Sequence, residues 1–228
     1  MTVSSADPAP AAAPPAHAAA HAAALATLPR PRLLDLLAAA PAQRVAVVGD
    51  AMLDVYLRGD VERISPEAPV PVVRVHERRD ALGGAANVAQ NVAALRADCA
   101  LVATVGDDGA GTRIRDMLLA LGADATALVT LARPTTTKTR VLARAQQVVR
   151  FDEENDADVG ADDEARVLAA VSAALEGATA LVLEDYNKGV LVPAVIRHAI
   201  AVARARGLPV VVDPKYRNFF HYRGATIF

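Results

Sequence analysis

Acidic and basic side chains recur where the apolar runs of this sequence end. The set comprises Asp50, Asp54, Glu184, Asp185, Lys188, Asp213 and Lys215. If those runs are parallel strands of an open α/β sheet, their carboxyl ends form the edge at which ligands bind. Carboxylates accept hydrogen bonds from sugar hydroxyls, whereas ammonium groups neutralise phosphate. The set therefore predicts a site for a polyhydroxy, phosphorylated ligand.

Cations are also concentrated in residues 135–151, TTTKTRVLARAQQVVRF, which have the pattern of a β-hairpin with its turn near Ala143–Gln146. They are Lys138, Arg140, Arg144 and Arg150. Each is a candidate for binding a phosphate carried by the ligand itself. A second non-helical insertion, residues 57–80, contains PVVRV and three prolines. Insertions that leave the same sheet edge commonly pair as a small lid over a site; two unrelated surface excursions are the alternative.

The stretch ALGGAANVAQNVAAL, residues 81–95, places Gly83 and Gly84 before a helical pattern that carries Asn87. Either the helix start is closely packed, or a ligand approaches the backbone there. The glycines match neither the dinucleotide fingerprint G-x-G-x-x-G nor the P-loop G-x-x-x-x-G-K-[ST]. A nicotinamide oxidoreductase is therefore disfavoured. The run GDDGAG, residues 106–111, also lacks the P-loop lysine and is interpreted as a strand-to-helix turn.

Around these residues, apolar runs alternate with helical patterns. Strands are predicted from RVAVVGD, CALVATVG, ALVTL, ALVLED and LPVVVDP. Helices are predicted from ANVAQNVAALRA, GTRIRDMLLALG, DDEARVLAAVSAALEG and PAVIRHAIAVARARG, three of which end at a glycine. Strands separated by helices of this length predict βαβ units and a parallel sheet covered on both faces.

Bulk composition narrows the class of protein. Hydrophobic residues make up 53% of the 228 residues, and 24 basic against 26 acidic residues give a formal net charge of −2. No basic face stands out, so neither a nucleic acid nor a membrane is an expected partner. The single cysteine, Cys99, fits a reducing compartment. Residues 1–30 are rich in Ala and Pro and are predicted to be a disordered leader before a domain spanning 31–228.

Several runs together resemble the ribokinase-like (pfkB-type) carbohydrate kinases, and among them the D-glycero-β-D-manno-heptose-7-phosphate kinases of ADP-heptose and lipopolysaccharide core synthesis. The matching runs are GDAMLDVY, RISPEAPVPVV, LGGAANVAQN, TTTKTRVLARAQQVVRFD, EDYNKGVL and VVDPK. They occur in family order from about residue 44 onwards. The resemblance implies a three-layer αβα parallel sheet with a small β-lid, in which the C-terminal portion of the kinase domain is missing.

The resemblance also implies roles for individual residues. Asp54 would bind sugar hydroxyls, Gly83 and Gly84 would let the sugar lie against the backbone, and Asn87 would donate to it. Arg63, Arg140 and Asp185 complete the expected substrate-binding set. Lys188 and Lys215 are expected on the phosphate or ATP side. The resemblance implies ATP as co-substrate with Mg²⁺, a homodimer formed through the β-lid, and a cytoplasmic location.

Two departures from the family pattern stand out. Glu184 replaces the small residue that usually precedes D-Y-x-K-G, and its role is left open. The G-A-G-D motif, which carries the family's catalytic base, and the Mg²⁺-organising N-x-x-E motif do not occur in these 228 residues. The expectation is therefore a sugar kinase that phosphorylates the anomeric hydroxyl of heptose 7-phosphate but is impaired as this polypeptide. The alternatives are another sugar or nucleoside kinase of this fold, or a non-catalytic sugar-phosphate-binding or dimerisation module.

Overall fold

The computed structural model describes residues 29–144 and 146–228. The chain divides after Ala39. In the described part of the first unit, helix α1 spans Arg30–Ala39. The second unit is Ala40–Phe228, and the remaining elements belong to it. The predicted leader, residues 1–30, falls almost entirely outside the described residues, so its disorder stays a prediction.

A parallel sheet forms the centre of the second unit. Its strands are β1 (Arg44–Gly49), β4 (Asp98–Gly106), β5 (Leu128–Leu131), β8 (Ala180–Glu184) and β9 (Val210–Asp213). Within the described residues these five strands lie in the order β5-β4-β1-β8-β9, and every neighbouring pair is parallel. The chain fills one side of β1 and then the other. The carboxyl end of β1 is therefore the switch point at which ligands bind in such sheets.

Helices cover both faces of this sheet, as the alternating pattern predicts. They are α2 (Ala85–Ala94), α3 (Gly109–Ala120), α4 (Ala161–Ala174) and α5 (Pro193–Ala205). Successive side chains of a strand point to opposite faces. Val47 accordingly packs in the cluster that includes α2 and α3, while Ala46 and Val48 pack in the cluster that includes α4 and α5. The predicted three-layer α/β architecture is confirmed.

The helix ends follow the signals in the sequence. The N-cap residue of α3 is Asp108, whose Oδ1 accepts a hydrogen bond from the Gly111 N–H at 2.7 Å. Gly122, Gly177 and Gly207 follow three of the helices with φ of 74°, 70° and 69°, a conformation that favours glycine at a helix C-terminus. The interpretation of GDDGAG as a strand-to-helix turn is confirmed.

The two predicted insertions pair with each other. Their strands are β2 (Ala51–Ile64), β3 (Pro71–Gly84), β6 (Thr137–Ala143) and β7 (Gln146–Glu153). In the described part of the chain these four strands form one sheet in the order β3-β2-β6-β7, which we call the lid sheet. β2 begins at Ala51, earlier than the predicted start of the insertion at residue 57. Its first residues belong to the core, since Leu53 and Val55 are buried against α2 and α3.

The last described segment returns to the main sheet. A 3₁₀ turn spans Tyr216–His221, and Ile227 then bridges to Val211 of β9 in parallel orientation. A second 3₁₀ turn, Ala40–Ala42, precedes β1. None of the helices within residues 29–144 and 146–228 combines the length and the hydrophobicity of a membrane-spanning helix.

Candidate functional site

The lid sheet has two chemically different faces at its base. Cross-strand pairing places Asp54 opposite Lys138, and Lys138 opposite Asp152. Because side chains alternate along a strand, these charged residues share one face. The intervening residues Leu53, Thr137 and Glu153 are likewise paired across the strands and lie on the other face. We call the first of these surfaces the charged face.

Asp54 is held in one orientation on the charged face. Arg140, two residues beyond Lys138 in β6, donates from Nη1 to Asp54 Oδ1 at 2.6 Å. Both side chains are about one-fifth exposed, at 23% and 19%. The hydrogen bond to Asp54 raises the pKa of the Arg140 guanidinium, and that guanidinium also lies 5.3 Å from the ring centroid of Tyr56. Asp54 is therefore a preorganised acceptor for hydroxyl groups.

The glycine pair lies at the end of β3, directly beside Asp54. A Cβ atom at Gly83 would come within 2.6 Å of Asp54 Oδ2. Gly84 has φ +55°, and a Cβ there would come within 2.2 Å of the carbonyl oxygen of Asp50. Asn87 is exposed on the first turn of α2, close in sequence to both glycines. The structure thus brings Asp54, Gly83, Gly84 and Arg140 together.

Asp50 shapes the loop that follows β8. Its buried carboxylate accepts backbone N–H groups of that loop: Tyr186 and Lys188 donate to Oδ2 at 2.8 and 3.0 Å, and Val190 donates to Oδ1 at 3.2 Å. Burial raises the pKa of Asp50, although these N–H groups oppose the rise. Asp50 is therefore a loop-organising residue, which its position at a strand end did not reveal.

Lys188 is fixed through its backbone as well as its side chain. Its carbonyl oxygen accepts Arg133 Nη2 at 3.1 Å, and its Nζ donates to Glu154 Oε1 at 2.8 Å. Glu154 Oε2 also accepts Lys138 Nζ at 3.3 Å. Arg133 and Glu154 were not predicted from the sequence. Their only signal in the sequence is that each follows a predicted strand within three residues.

Asp185 is buried, whereas the side chain of Asp54 is partly exposed. Asp185 is 1% exposed, and its two carboxylate oxygens accept the Asn187 N–H at 2.7 Å and the Tyr222 hydroxyl at 2.7 Å. Burial and the hydrogen bond to Asp185 raise the pKa of Tyr222. In this structure the residue joins the loop after β8 to the segment after β9, and its predicted contact with substrate stays a prediction.

Glu184 and Asp213 end the neighbouring strands β8 and β9 as register partners. Lys215 lies 3.6 Å from Asp213 and has its Nζ 4.8 Å from the ring centroid of Tyr186. Burial and the adjacent Asp213 raise the pKa of Glu184 to about 7, although Lys215 opposes the rise. This second cluster lies at the carboxyl ends of β8 and β9, and the expected role of Lys215 on the phosphate or ATP side stays a prediction.

Two of the predicted lid cations, Arg63 and Arg144, lie away from Asp54. Arg63 is exposed near the far end of β2, nine residues along the strand from Asp54. Arg144 lies at the turn of the β6–β7 hairpin with φ 54°. Arg150 pairs with Asp152 at 3.1 Å and lies directly across the hairpin from Arg140. The structure therefore does not bring Arg63 or Arg144 to Asp54 within one chain.

A pocket of about 530 Å³ lies on the opposite face of the lid sheet. Leu53, Thr137 and Glu153 line it, together with Asp80 and Arg113, which form an ion pair at 3.2 Å. Arg78 also pairs with Asp80, at 3.1 Å. The described residues that line this pocket include none of the site residues predicted from the sequence.

Two known proteins are similar to this chain over most of its length. The chain is 46% identical over 203 residues to the bifunctional protein HldE of Rhodospirillum rubrum. The aligned region covers 87% of this chain and 40% of that protein. The chain is 49% identical over 192 residues to the D-beta-D-heptose 7-phosphate kinase of Bordetella bronchiseptica, covering 82% and 60%. The chain thus spans about 40% of the bifunctional relatives.

Solved structures of carbohydrate kinases share the fold of this chain. A carbohydrate kinase from Agrobacterium tumefaciens superposes with a TM-score of 0.57 at 24% identity, covering 75% of this chain and 53% of that one. The family model for pfkB carbohydrate kinases matches residues 42–224, which include the main sheet, the lid sheet and every site residue predicted from the sequence. The chain belongs to the pfkB family of carbohydrate kinases.

Proposed function

We propose that the chain provides the sugar-binding half of an ATP-dependent kinase for D-glycero-D-manno-heptose 7-phosphate, which gives heptose 1,7-bisphosphate for ADP-heptose and lipopolysaccharide core synthesis. The observation that carries the proposal is the charged face, where Arg140 holds Asp54 beside Gly83. Lys138 and Lys188 lie at the same base of the lid and are joined through Glu154. The name of a relative at 49% identity, D-beta-D-heptose 7-phosphate kinase, supports the choice of sugar.

The proposed reaction forms a bond between the anomeric oxygen and the γ-phosphorus of ATP. The bond from that phosphorus to the bridging oxygen breaks, and ADP leaves. Such transfer depends on positioning the two reactants and on neutralising charge. Asp54 would accept sugar hydroxyls, Asn87 would donate to the sugar, and Lys188 and Lys215 would neutralise phosphate. By resemblance, the hydroxyl proton goes to an Asp in a G-A-G-D motif, which these 228 residues do not contain.

ATP and Mg²⁺ belong to this proposal. Among the described residues no group of three or more His, Cys, Asp or Glu is placed to hold a metal ion. Mg²⁺ commonly binds through one or two carboxylates together with substrate phosphates and water. Glu184 and Asp213 offer such a pair of carboxylates beside Lys215, so the residues present fit an ion that arrives with the nucleotide.

Calorimetry on the 228-residue chain tests the sugar assignment. We expect heptose 7-phosphate to bind more tightly than unphosphorylated heptose, and Asp54→Asn to weaken binding by about 10- to 100-fold, because a charged acceptor is lost. Asp60→Asn is the matched control: it makes the same change in the same strand, at an acid whose side chain is about half exposed and lies 3.6 Å from His76. Equal binding of both sugars, or wild-type affinity of Asp54→Asn, would contradict the proposal.

An activity assay tests the second part of the proposal, that phosphoryl transfer needs a G-A-G-D motif. A coupled assay for ADP should show far less activity from the 228 residues than from a chain extended through a G-A-G-D motif, because groups that stabilise developing negative charge are typically worth about 10²–10³ in rate. Comparable turnover of the two proteins would show that catalysis does not need that motif.

A further inference from the structure

Glu154 joins the lid to the main sheet through two lysines. Its Oε1 accepts Lys188 Nζ at 2.8 Å, and its Oε2 accepts Lys138 Nζ at 3.3 Å. Lys138 belongs to lid strand β6, whereas Lys188 belongs to the loop that Asp50 organises after β8. A single carboxylate therefore holds two ammonium groups from separate parts of the fold.

The setting keeps these charges partly out of water. The side chains of Lys138 and Lys188 are 15% and 17% exposed, and that of Glu154 is 27% exposed. Burial raises the pKa of Glu154, but the hydrogen bonds and charges of the two lysines outweigh it, so that the pKa lies below its usual value. Glu154 is therefore ionised at neutral pH. It is the ion-pair partner of Lys188, and it shares Lys138 with Asp152, whose Oδ2 lies 2.9 Å from Lys138 Nζ.

Carboxylate and phosphoryl groups are recognised in the same way by lysine, through short charge-assisted hydrogen bonds to neighbouring oxygens. We propose that Lys138 and Lys188 form a phosphoryl-binding pair and that Glu154 is its built-in competitor, which an incoming phosphoryl group replaces. The identity of the phosphoryl compound rests on the proposed function, but the competition does not. A phosphoryl group bound there would contact lid and main sheet at once.

The strand supplies a matched control for this inference. Glu153 precedes Glu154 and lines the pocket on the opposite face of the lid sheet. Glu153→Gln and Glu154→Gln therefore make the same change in net charge at adjacent positions. Only the second change removes the carboxylate from the lysines.

Calorimetry with these variants of the 228-residue chain tests the competition. We expect Glu154→Gln to bind heptose 7-phosphate about 3- to 10-fold more tightly than wild type, because two partly exposed ion pairs no longer have to be broken. Glu153→Gln should bind as wild type does, and unphosphorylated heptose should not distinguish the variants. Lys138→Met should remove the gain in a double variant with Glu154→Gln.

Circular dichroism and thermal unfolding check the fold of each variant. Glu154→Asp provides an independent variant: its shorter side chain cannot span both lysines, so we expect an intermediate gain in affinity.

Each outcome separates the two proposals. If heptose 7-phosphate fails to bind wild type but inorganic phosphate binds more tightly to Glu154→Gln, the sugar assignment falls and the competition stands. If heptose 7-phosphate binds wild type and Glu154→Gln or Glu154→Asp weakens that binding, Glu154 positions the lysines and the competition is wrong. Tightening for ATP, but not for heptose 7-phosphate, assigns the pair to the nucleotide phosphates. Unchanged binding of heptose 7-phosphate, ATP and inorganic phosphate overturns the inference.

Discussion

Glu184 is an acid whose surroundings disfavour its charge. It is 8% exposed at the end of β8, and its register partner Asp213 ends β9 beside it. Burial and Asp213 together raise its pKa to about 7 from 4.5. An acid with a raised pKa in the folded state binds a proton more readily when folded, so ionising it lowers the free energy of unfolding.

The sign of this linkage gives a pH prediction. The contribution of Glu184 to stability is fully present below pH 4.5 and is lost as the pH rises to about 7. Glu184→Gln removes the titration, so the fall in unfolding free energy between pH 5 and pH 8 should be smaller in the variant by roughly 1–3 kcal/mol. Urea unfolding at the two pH values measures this difference.

Glu176→Gln is the control, since Glu176 is an exposed acid that precedes β8. The buried Asp50 also has a raised pKa, but it contributes equally to both proteins and cancels in the comparison. Parallel stability curves for wild type and Glu184→Gln would show that Glu184 ionises in the folded state as it does in water.

At the level of elements, the junction between β3 and α2 shows that two adjacent glycines serve different needs. Gly84 has a left-handed backbone at φ +55°, and the carbonyl oxygen of Asp50 lies 2.2 Å from where its Cβ would be. Gly83 lacks that backbone constraint, and the nearest atoms to its Cβ position are the side-chain atoms Asp54 Oδ2 at 2.6 Å and Met52 Cγ at 2.7 Å. A backbone oxygen cannot move aside as easily as a side chain.

The two alanine variants should therefore separate folding from binding. Gly84→Ala should lower the free energy of unfolding by about 1–3 kcal/mol or more, because it combines strain with a backbone clash. Gly83→Ala should cost less stability but weaken binding of heptose 7-phosphate by about tenfold or more, because it displaces the Asp54 carboxylate. Urea unfolding and calorimetry on both proteins provide the measurements. Loss of stability without loss of affinity in Gly83→Ala would mean that Asp54 does not bind the sugar.

The elements themselves follow from local patterns. Apolar runs predicted the strands of the main sheet, and acids, proline and glycine at the expected ends predicted its helices, because these signals act within a few residues. The lid was predicted as two insertions that pair with each other, but the register of that pairing was not predicted. Its pairing joins Asp54 to Lys138 across a long stretch of chain, and no short-range signal records that register.

The residues of the site likewise divide into those that local patterns predicted and those whose roles depend on distant contacts. Asp54, Gly83 and Arg140 were predicted and lie together. The role of Asp50 depends on N–H groups 136 to 140 residues away, and the burial of Asp185 depends on Tyr222. Arg133 and Glu154 are identified as residues of the site by their contacts with Lys188, which the sequence alone does not reveal. Residue type and strand-end position thus identify candidates, while long-range packing decides which way each side chain faces.

At the level of the molecule, two of the described segments each carry several large, exposed apolar side chains. The first is on the distal lid sheet and its connection, where Val61, Ile64, Val70 and Val75 are exposed. The second follows β9, where Tyr216, Phe219, Phe220 and Phe228 are exposed and Phe219 stacks edge-on with Phe220 at 5.5 Å between centroids. Exposed apolar patches of this kind mark association surfaces.

We propose that the lid surface forms the homodimer implied by the family resemblance, because β3 is an edge strand of the lid sheet and edge strands readily pair with a second copy. Ile64, 60% exposed at the end of β2, should then lie in the interface. Light scattering over a range of concentrations should show a dimer for wild type, and Ile64→Asp should shift it towards monomer, because a buried unpaired charge opposes association. Phe220→Asp, which places the same charge on the aromatic surface, should leave the dimer intact. Dissociation by Phe220→Asp alone would move the interface to the segment after β9, and a wild-type monomer at every concentration would refute the lid dimer.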